Sequence, residues 1–557
     1  MEIVPNSGPE DPQGRPIVAL GPPRKLRMGV FFDGTGNDTS DPEQYSNVNK
    51  LRLAYINNLS GANAVAYDPS DSNAQISTSV YKRGVGTDRP IVSIPVPGVI
   101  PRVYNYQMES DPLGGGAGRG MKARTNGMFY DIRQKLYDFA DRFHRLPELV
   151  ELDVFGFSRG AATARHFINL IVQEHYDLDL DPRYVNQRVV FNVTFVGIFD
   201  TVATVGIPGN NIDAGYGFHI IPYRASREWD DVTYRMEKVF HIVSEDEVRA
   251  AFDCTSAIDI PLENHNLGEN GSSLDSRGRE REPIERYYPS ERREGVIEEV
   301  LCIGVHSDVG GGYSNFFEHD ASNNFLARIP LHMMYQKALE HDVPMWQPNE
   351  VLSEVPELRP HWNSDAGCQQ GFDYLMSQYA RYPNLRFNYK KYREADLTIQ
   401  AQLRLQSEGK TGDGLIPWIA STYEYSHVST EIGALYAHRR EMEAAIAQDM
   451  GSEAAAEAFL DTANRFYRTY VHKSCYPWNQ VTGMYPQYRL ETIRSPVTLE
   501  EETIGVFHRG IFTPVYTEYA EANRSMRVIR LLSPIVGEVF DFDLGRPIQF
   551  NDGEHGQ

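Results

Sequence analysis

The 557 residues, 41% hydrophobic and 23% charged, suit one large globular domain with insertions or two domains. A formal net charge of -22 repels phosphate backbones, so it argues against nucleic-acid binding and against tight electrostatic docking on anionic lipid. The four cysteines, Cys254, Cys302, Cys368 and Cys475, are far apart and form no CxxC pair, which excludes a cysteine zinc site and a disulfide scaffold and fits a reducing cytoplasm.

Residues 1–24, rich in Pro and Gly, read as a flexible arm. Met1 to Leu20 lacks the apolar core of a Sec signal peptide, and no run of 18 apolar residues predicts a membrane-spanning helix. Leu26–Phe32 reads as a buried strand ending in the turn-rich Asp33-Gly34-Thr35-Gly36-Asn37-Asp38. Residues 60–120 lack periodicity and end in a glycine-rich stretch, Gly114 to Gly120. It fits a nucleotide-binding GxGxxG only loosely and reads as a mobile loop near a pocket mouth. Phe129, Ile132, Leu136, Phe139 and Phe143 then form a helical stripe.

Leu149–Phe155 predicts a strand, and Ala161–Val172 a helix. Further apolar strands are expected at Val189–Phe199, Val239–Val243 and Val296–Val305. Strands alternating with helices predict an α/β-hydrolase-like fold: a mostly parallel, doubly wound sheet with large insertions, over residues 25–345. From Pro344-Met345-Trp346 the pattern becomes mostly helical, clearest at Glu431–Val471. Residues 346–557 are expected to form a cap or a membrane- or partner-binding region.

Between the predicted strand and helix stands Gly156-Phe157-Ser158-Arg159-Gly160. A GxSxG at a strand-to-helix turn is a nucleophile elbow, whose glycines permit the tight turn and whose helix N-terminus stabilises negative charge. Ser158 is therefore the candidate nucleophile. A serine needs a base, and the base an orienting acid, in chain order Ser, acid, His. Asp200 directly follows a long apolar strand and is the candidate acid, with Asp246 the runner-up. His306, in Gly304-Val305-His306-Ser307-Asp308-Val309-Gly310-Gly311, follows a strand and is the candidate base. His241, inside a strand, reads as structural, and His472 is a weaker rival. An oxyanion hole would draw on the backbone N–H of Arg159 and on the glycine loop at Gly34 and Thr35. That loop lacks the Gly-Lys-Ser/Thr of a phosphate-binding loop, and the sequence calls for neither metal nor cofactor.

Four motifs thus stand in order: Phe31-Phe32-Asp33-Gly34-Thr35-Gly36-Asn37, Gly156-Phe157-Ser158-Arg159-Gly160-Ala161, Phe199-Asp200-Thr201-Val202 and Gly304-Val305-His306-Ser307-Asp308-Val309-Gly310-Gly311. Together they resemble the type VI secretion lipase effectors of the GxSxG class, also described as an uncharacterised α/β-hydrolase domain family, over residues 25–340. Val471-His472-Lys473-Ser474 looks like a further motif of such effectors, with Lys473 where an Asp is expected. The resemblance implies an antibacterial phospholipase of A1 or A2 type, working on bilayer phospholipid through Ser158, Asp200 and His306. It implies loading on a type VI spike protein or adaptor, delivery from the producer's cytoplasm to a rival's periplasm, and a cognate immunity protein.

Two other readings remain at this stage: a soluble carboxylesterase for small esters, and a catalytically silent interaction module. Lipid access would need a movable cover, for which exposed aromatics between Trp346 and Tyr392, such as Trp362 and Phe372, are the candidates.

Overall fold

A computed structural model describes residues 25–59, 75–87, 116–174, 189–202, 228–261, 297–312, 324–407 and 432–472, and strands between 488 and 548, with short gaps in some of these ranges. The expected arm 1–24, together with Gly114, Gly115, Lys473 and Ser474, lies outside the described residues.

Six strands form the main sheet: β1 (Lys25–Phe32), β2 (Ser77–Lys82), β3 (Leu149–Phe157), β4 (Val190–Phe199), β5 (Met236–Ser244) and β6 (Ile297–Cys302). Their order is β6-β5-β4-β3-β1-β2, and every neighbouring pair is parallel. The chain leaves β1 toward β2 on one side and returns to β3 on the other. That reversal opens a crevice at the carboxyl ends of β1 and β3, where ligands bind in doubly wound sheets.

Among the described residues the main helices are α1 (Asn47–Ala54), α2 (Gly116–Phe143), α3 (Arg159–Glu174), α4 (His306–Gly310), α5 (Arg328–Glu340), α6 (Ala366–Arg381), α7 (Leu385–Ser407), α8 (Ile432–Met450) and α9 (Glu453–Tyr470), with short helical turns at Val351–Glu354 and Arg359–Trp362 between α5 and α6. Strand side chains alternate between two cores, as the period of two requires. Met28, Val30, Val150, Leu152 and Val154 meet Ile132, Leu136 and Phe139 of α2 and Phe167 of α3. Phe31, Phe155, Phe195 and Phe240 face the other way, toward α1, α5 and the later helices. Between Leu152 and Asp153 the β3–β4 register shifts, and β4 carries a bulge. There Thr194 Oγ1 donates to Leu152 O at 3.0 Å and to Asp153 at 2.9 Å. Asp153 is fully buried, and Arg27 of β1 grips it through two bonds of 2.9 and 2.8 Å while the Tyr55 hydroxyl donates at 3.0 Å.

Three expectations are corrected. First, β2 occupies a stretch read as aperiodic: among the described residues STSVYK is an edge strand paired with β1 alone, so it needs no long apolar run. Second, Gly116–Gly120 is not loop but the start of α2, because one long helix with a buried stripe offsets the modest helix cost of its glycines, about 1 kcal/mol each. Third, Trp362 and Phe372 are buried, at 3% and 8% exposure, in one core with Phe31, Phe155 and Tyr335. Burial of such a side chain is worth about 1.5–3 kcal/mol, so these rings hold the fold and offer no surface to lipid. The region after 346 is mostly helical, as expected, with helices as far as Tyr470. An antiparallel pair, Tyr488–Arg494 with Glu501–Phe507, and shorter strands follow. The helical segment Glu431–Val471 is also split in two at Gly451, whose φ of 66° ends α8.

Among the described residues no helix is long and apolar enough to cross a membrane.

Candidate active site

All the candidate groups sit at the carboxyl end of the sheet. Ser158 follows β3 and opens α3, with φ of 59°. A non-glycine residue in the left-handed region is strained and persists only where its surroundings over-determine it. Here they do. The Ser158 N–H donates to Phe199 O at 3.0 Å, and the Ser158 carbonyl accepts from Val202 N at 3.2 Å. The elbow is thus bonded to both sides of Asp200.

The flanking glycines are required by crowding. A Cβ on Gly156 would lie 2.6 Å from Ala161 Cα, and one on Gly160 would lie 2.3 Å from Asp33 O. That second approach places the Asp33–Gly36 loop directly beside the elbow. Within the loop, Asp33 Oδ1 accepts from Gly34 N at 2.8 Å and Asp33 Oδ2 from the Tyr81 hydroxyl at 2.6 Å. Burial pushes the Asp33 carboxyl up to about 6 against the pull of hydrogen bonds from Ser46, Tyr81 and Gly34.

Asp200 ends β4 with φ of 37° and is fully buried. Its Oδ1 accepts from Ser244 N at 3.0 Å and its Oδ2 from Ser244 Oγ at 2.9 Å. The same Oδ2 lies 2.6 Å from His306 Nδ1. A carboxylate can only accept, so Nδ1 carries the proton and Nε2 is left as the basic nitrogen. His306 starts α4, and its ring lies 4.6 Å from that of Phe157, next to Ser158, and 4.9 Å from that of Phe252. Burial lowers the His306 pKa below the usual imidazole value. The hydrogen bond and charge of Asp200 oppose the shift, and Arg249 adds to it.

The rival residues are engaged elsewhere. Asp246 Oδ2 accepts from Gly304 N at 2.8 Å and Oδ1 from Arg393 at 2.9 Å. His241 stands with Nδ1 2.7 Å from Glu299, while its Nε2 accepts from Thr201 N at 3.2 Å. It braces the turn after Asp200 from inside the sheet. His472 Nδ1 is 2.5 Å from Asp308. Sequence reading missed Ser244, Phe157, Phe252 and Asp308 as neighbours of the site. Ser244 sits where the predicted strand 239–243 stops, and Asp308 was inside the quoted histidine motif; neither carried a signal of its partner.

Thr35 is exposed and Gly34 is buried with its amide turned to Asp33. Arg159 is the first residue of α3, where first-turn amides have no acceptor inside the helix. Among the described residues no group of His, Cys, Asp or Glu could hold a metal ion.

An all-parallel doubly wound sheet that carries a serine on a strained strand-to-helix turn defines an α/β-hydrolase-like protein. A family model described as the catalytic domain of Tle1-like phospholipase effectors of the type VI secretion system matches residues 27–175 and 177–337. The chain belongs to that family of type VI phospholipase effectors. No curated protein matches it. Among solved structures it is similar to an uncharacterized protein from Pseudomonas aeruginosa, with 20% identity and a TM-score of 0.41, over 82% of this chain and 65% of that one. It is also similar to the Tle1 effector bound to the VgrG spike of the type VI secretion system, with 16% identity and a TM-score of 0.41, over 89% of this chain and 94% of that one.

Proposed function

We propose that the chain cleaves acyl esters of bilayer phospholipids by a serine mechanism in which Ser158 is the nucleophile, His306 the base and Asp200 the orienting acid. The observation that carries this reading is the buried His306–Asp200 pair at 2.6 Å, on loops that flank the strained Ser158 elbow. His306 Nε2 takes the Ser158 hydroxyl proton as Oγ attacks the ester carbonyl. The tetrahedral intermediate collapses to an acyl-enzyme, and the protonated imidazole gives its proton to the departing lysophospholipid oxygen. Water, activated by the same imidazole, then releases the fatty acid and restores Ser158.

The oxyanion is proposed to rest on Arg159 N–H and on the loop at Gly34 and Thr35. Since Gly34 N–H donates to Asp33 in this structure, Thr35 is the readier second donor, and Gly34 would serve only after turning from Asp33.

Family membership supports the rest of the reading. The effector would leave the producing cytoplasm on a type VI spike or adaptor, act on membrane in the rival's periplasm, and be held in check by an immunity protein. Residues 346–557 would supply the cover over the site. The decisive experiment is incubation of purified protein with mixed phospholipid vesicles, with products identified by mass. Free fatty acid and lysophospholipid are expected, and the position of the lost chain separates A1 from A2 cleavage. Products from short soluble esters alone would favour a carboxylesterase, and a Ser158→Ala protein with undiminished turnover would overturn the nucleophile.

A further inference from the structure

Three consecutive amides lead into the base, and each donates to a different buried carboxylate. Gly304 N donates to Asp246 Oδ2 at 2.8 Å, Val305 N to Asp308 Oδ2 at 3.1 Å, and His306 N to Glu247 Oε2 at 3.2 Å. Backbone held in this way presents the imidazole in one orientation, provided the carboxylates themselves cannot swing.

Two of the three are fixed by groups from the later helices. Asp308 Oδ1 is 2.5 Å from His472 Nδ1, and Asp308 Oδ2 also accepts from His472 N at 3.0 Å, directly after α9. Asp246 Oδ1 accepts from Arg393 of α7 at 2.9 Å, and that guanidinium lies 3.4 Å over the ring of Tyr467 in α9. The neighbouring Glu245 is gripped by Arg386 of α7 at 2.9 Å, and its carbonyl accepts from Lys390. The third carboxylate, on Glu247, is tied locally to Arg249 at 2.9 Å. Asp246, Asp308, His472 and Arg386 are all more than nine-tenths buried, so water does not compete for these bonds.

We infer that His472 and Arg393, which lie outside the segment matched by the catalytic-domain family, are positioning residues that set the orientation of His306 through Asp308 and Asp246. The inference rests on the reading above that His306 is the base. It makes the later helices part of the catalytic centre: the serine and base loops come from the sheet, but the base is aimed from α7 and the end of α9. Small displacements of a reacting group cost catalysis much more than they cost binding.

The test compares His472→Phe, His472→Asn and Arg393→Met with wild type on a short soluble ester, and measures the rate at which a fluorophosphonate labels Ser158. Each rate is normalised to the folded fraction found by thermal unfolding. His472→Phe and Arg393→Met are expected to lower kcat and the labelling rate by about 10- to 100-fold with KM changed by less than about threefold. His472→Asn, whose amide can donate from the position of Nδ1, is expected to recover most of the loss. Wild-type kcat and labelling in His472→Phe would overturn the inference. So would a loss shared equally by His472→Asn and His472→Phe, or one that vanishes on normalisation. Ser158→Ala is the control that keeps the two readings apart. If it still turns over ester, the triad itself is wrong; if it is dead while His472→Phe is fully active, only the aiming role fails.

Discussion

The imidazole of His306 stands 2.6 Å from the carboxylate of Asp200, across 106 positions of sequence. The acid has no freedom to leave it: Ser244 holds both carboxylate oxygens, and the backbone N–H of Asp200 donates to Ile242 O at 2.7 Å. The pair is therefore set by β4, β5 and the loop after β6, and the elbow of β3 is bonded to the same turn.

The roles of Asp200 and Asp246 separate in kinetics. Asp200→Asn should lower kcat on a soluble ester by about 10⁴-fold, since an orienting acid fixes the imidazole tautomer. Asp246→Asn keeps a carbonyl for Gly304 but loses the ion pair with Arg393, so a drop of about 10- to 100-fold is expected, well short of the loss in Asp200→Asn. The reverse ranking, measured by steady-state kinetics, would transfer the acid role to Asp246.

The pH profile has a defined sign. As the proposed base, His306 must be neutral to accept a proton, and burial lowers its pKa below the ordinary imidazole value. The acid limb of kcat/KM should therefore lie below pH 6.5, with activity retained there and lost only on further acidification. Asp200 opposes the lowering, so the residual activity of Asp200→Asn should show its acid limb moved to still lower pH. A limb moved upward would contradict the assigned pair.

Gly160 should not tolerate a methyl group. The added Cβ would meet Asp33 O at 2.3 Å and Phe32 O at 2.4 Å, and both are backbone atoms that cannot turn aside. Gly160→Ala is expected to cost about 1–3 kcal/mol of stability and most of the activity, because the loop must move away from the elbow. Gly36→Ala is the contrast: nothing lies within 4 Å, and only its φ of 78° resists, at about 1 kcal/mol. Urea unfolding of the two variants measures the difference.

Asp153 stands in the middle of β3, five residues before Ser158, and is expected to matter only for stability. Removing it by Asp153→Ala leaves the buried Arg27 charge without its carboxylate, at a cost of about 3–5 kcal/mol. The double change Arg27→Met with Asp153→Leu removes both charges and should restore much of that loss in thermal unfolding. A single variant as stable as wild type would show that the pair contributes nothing net.

Much of this arrangement was legible in contiguous residues. An apolar run followed by a turn marks a buried strand, and five of the six strands of the sheet announce themselves that way. The elbow is legible because a strained turn between strand and helix demands glycine on both sides of Ser158, and Asp200 and His306 are legible as polar residues that end apolar strands. The edge strand β2 has no such signature, since only one neighbour pairs with it. Equally silent is any partnership between distant side chains. Nothing within Leu149–Phe155 tells that Asp153 meets Arg27, and nothing in Val471-His472 tells that the imidazole closes on Asp308. The rings of Trp362 and Phe372 could have faced lipid or a core, because a helical stripe is the same for both. Local periodicity and turn chemistry determine elements and mark candidate residues. Which carboxylate a histidine reaches, and which face a helix buries, is decided by packing between segments a hundred or more residues apart, a property that no stretch of sequence contains.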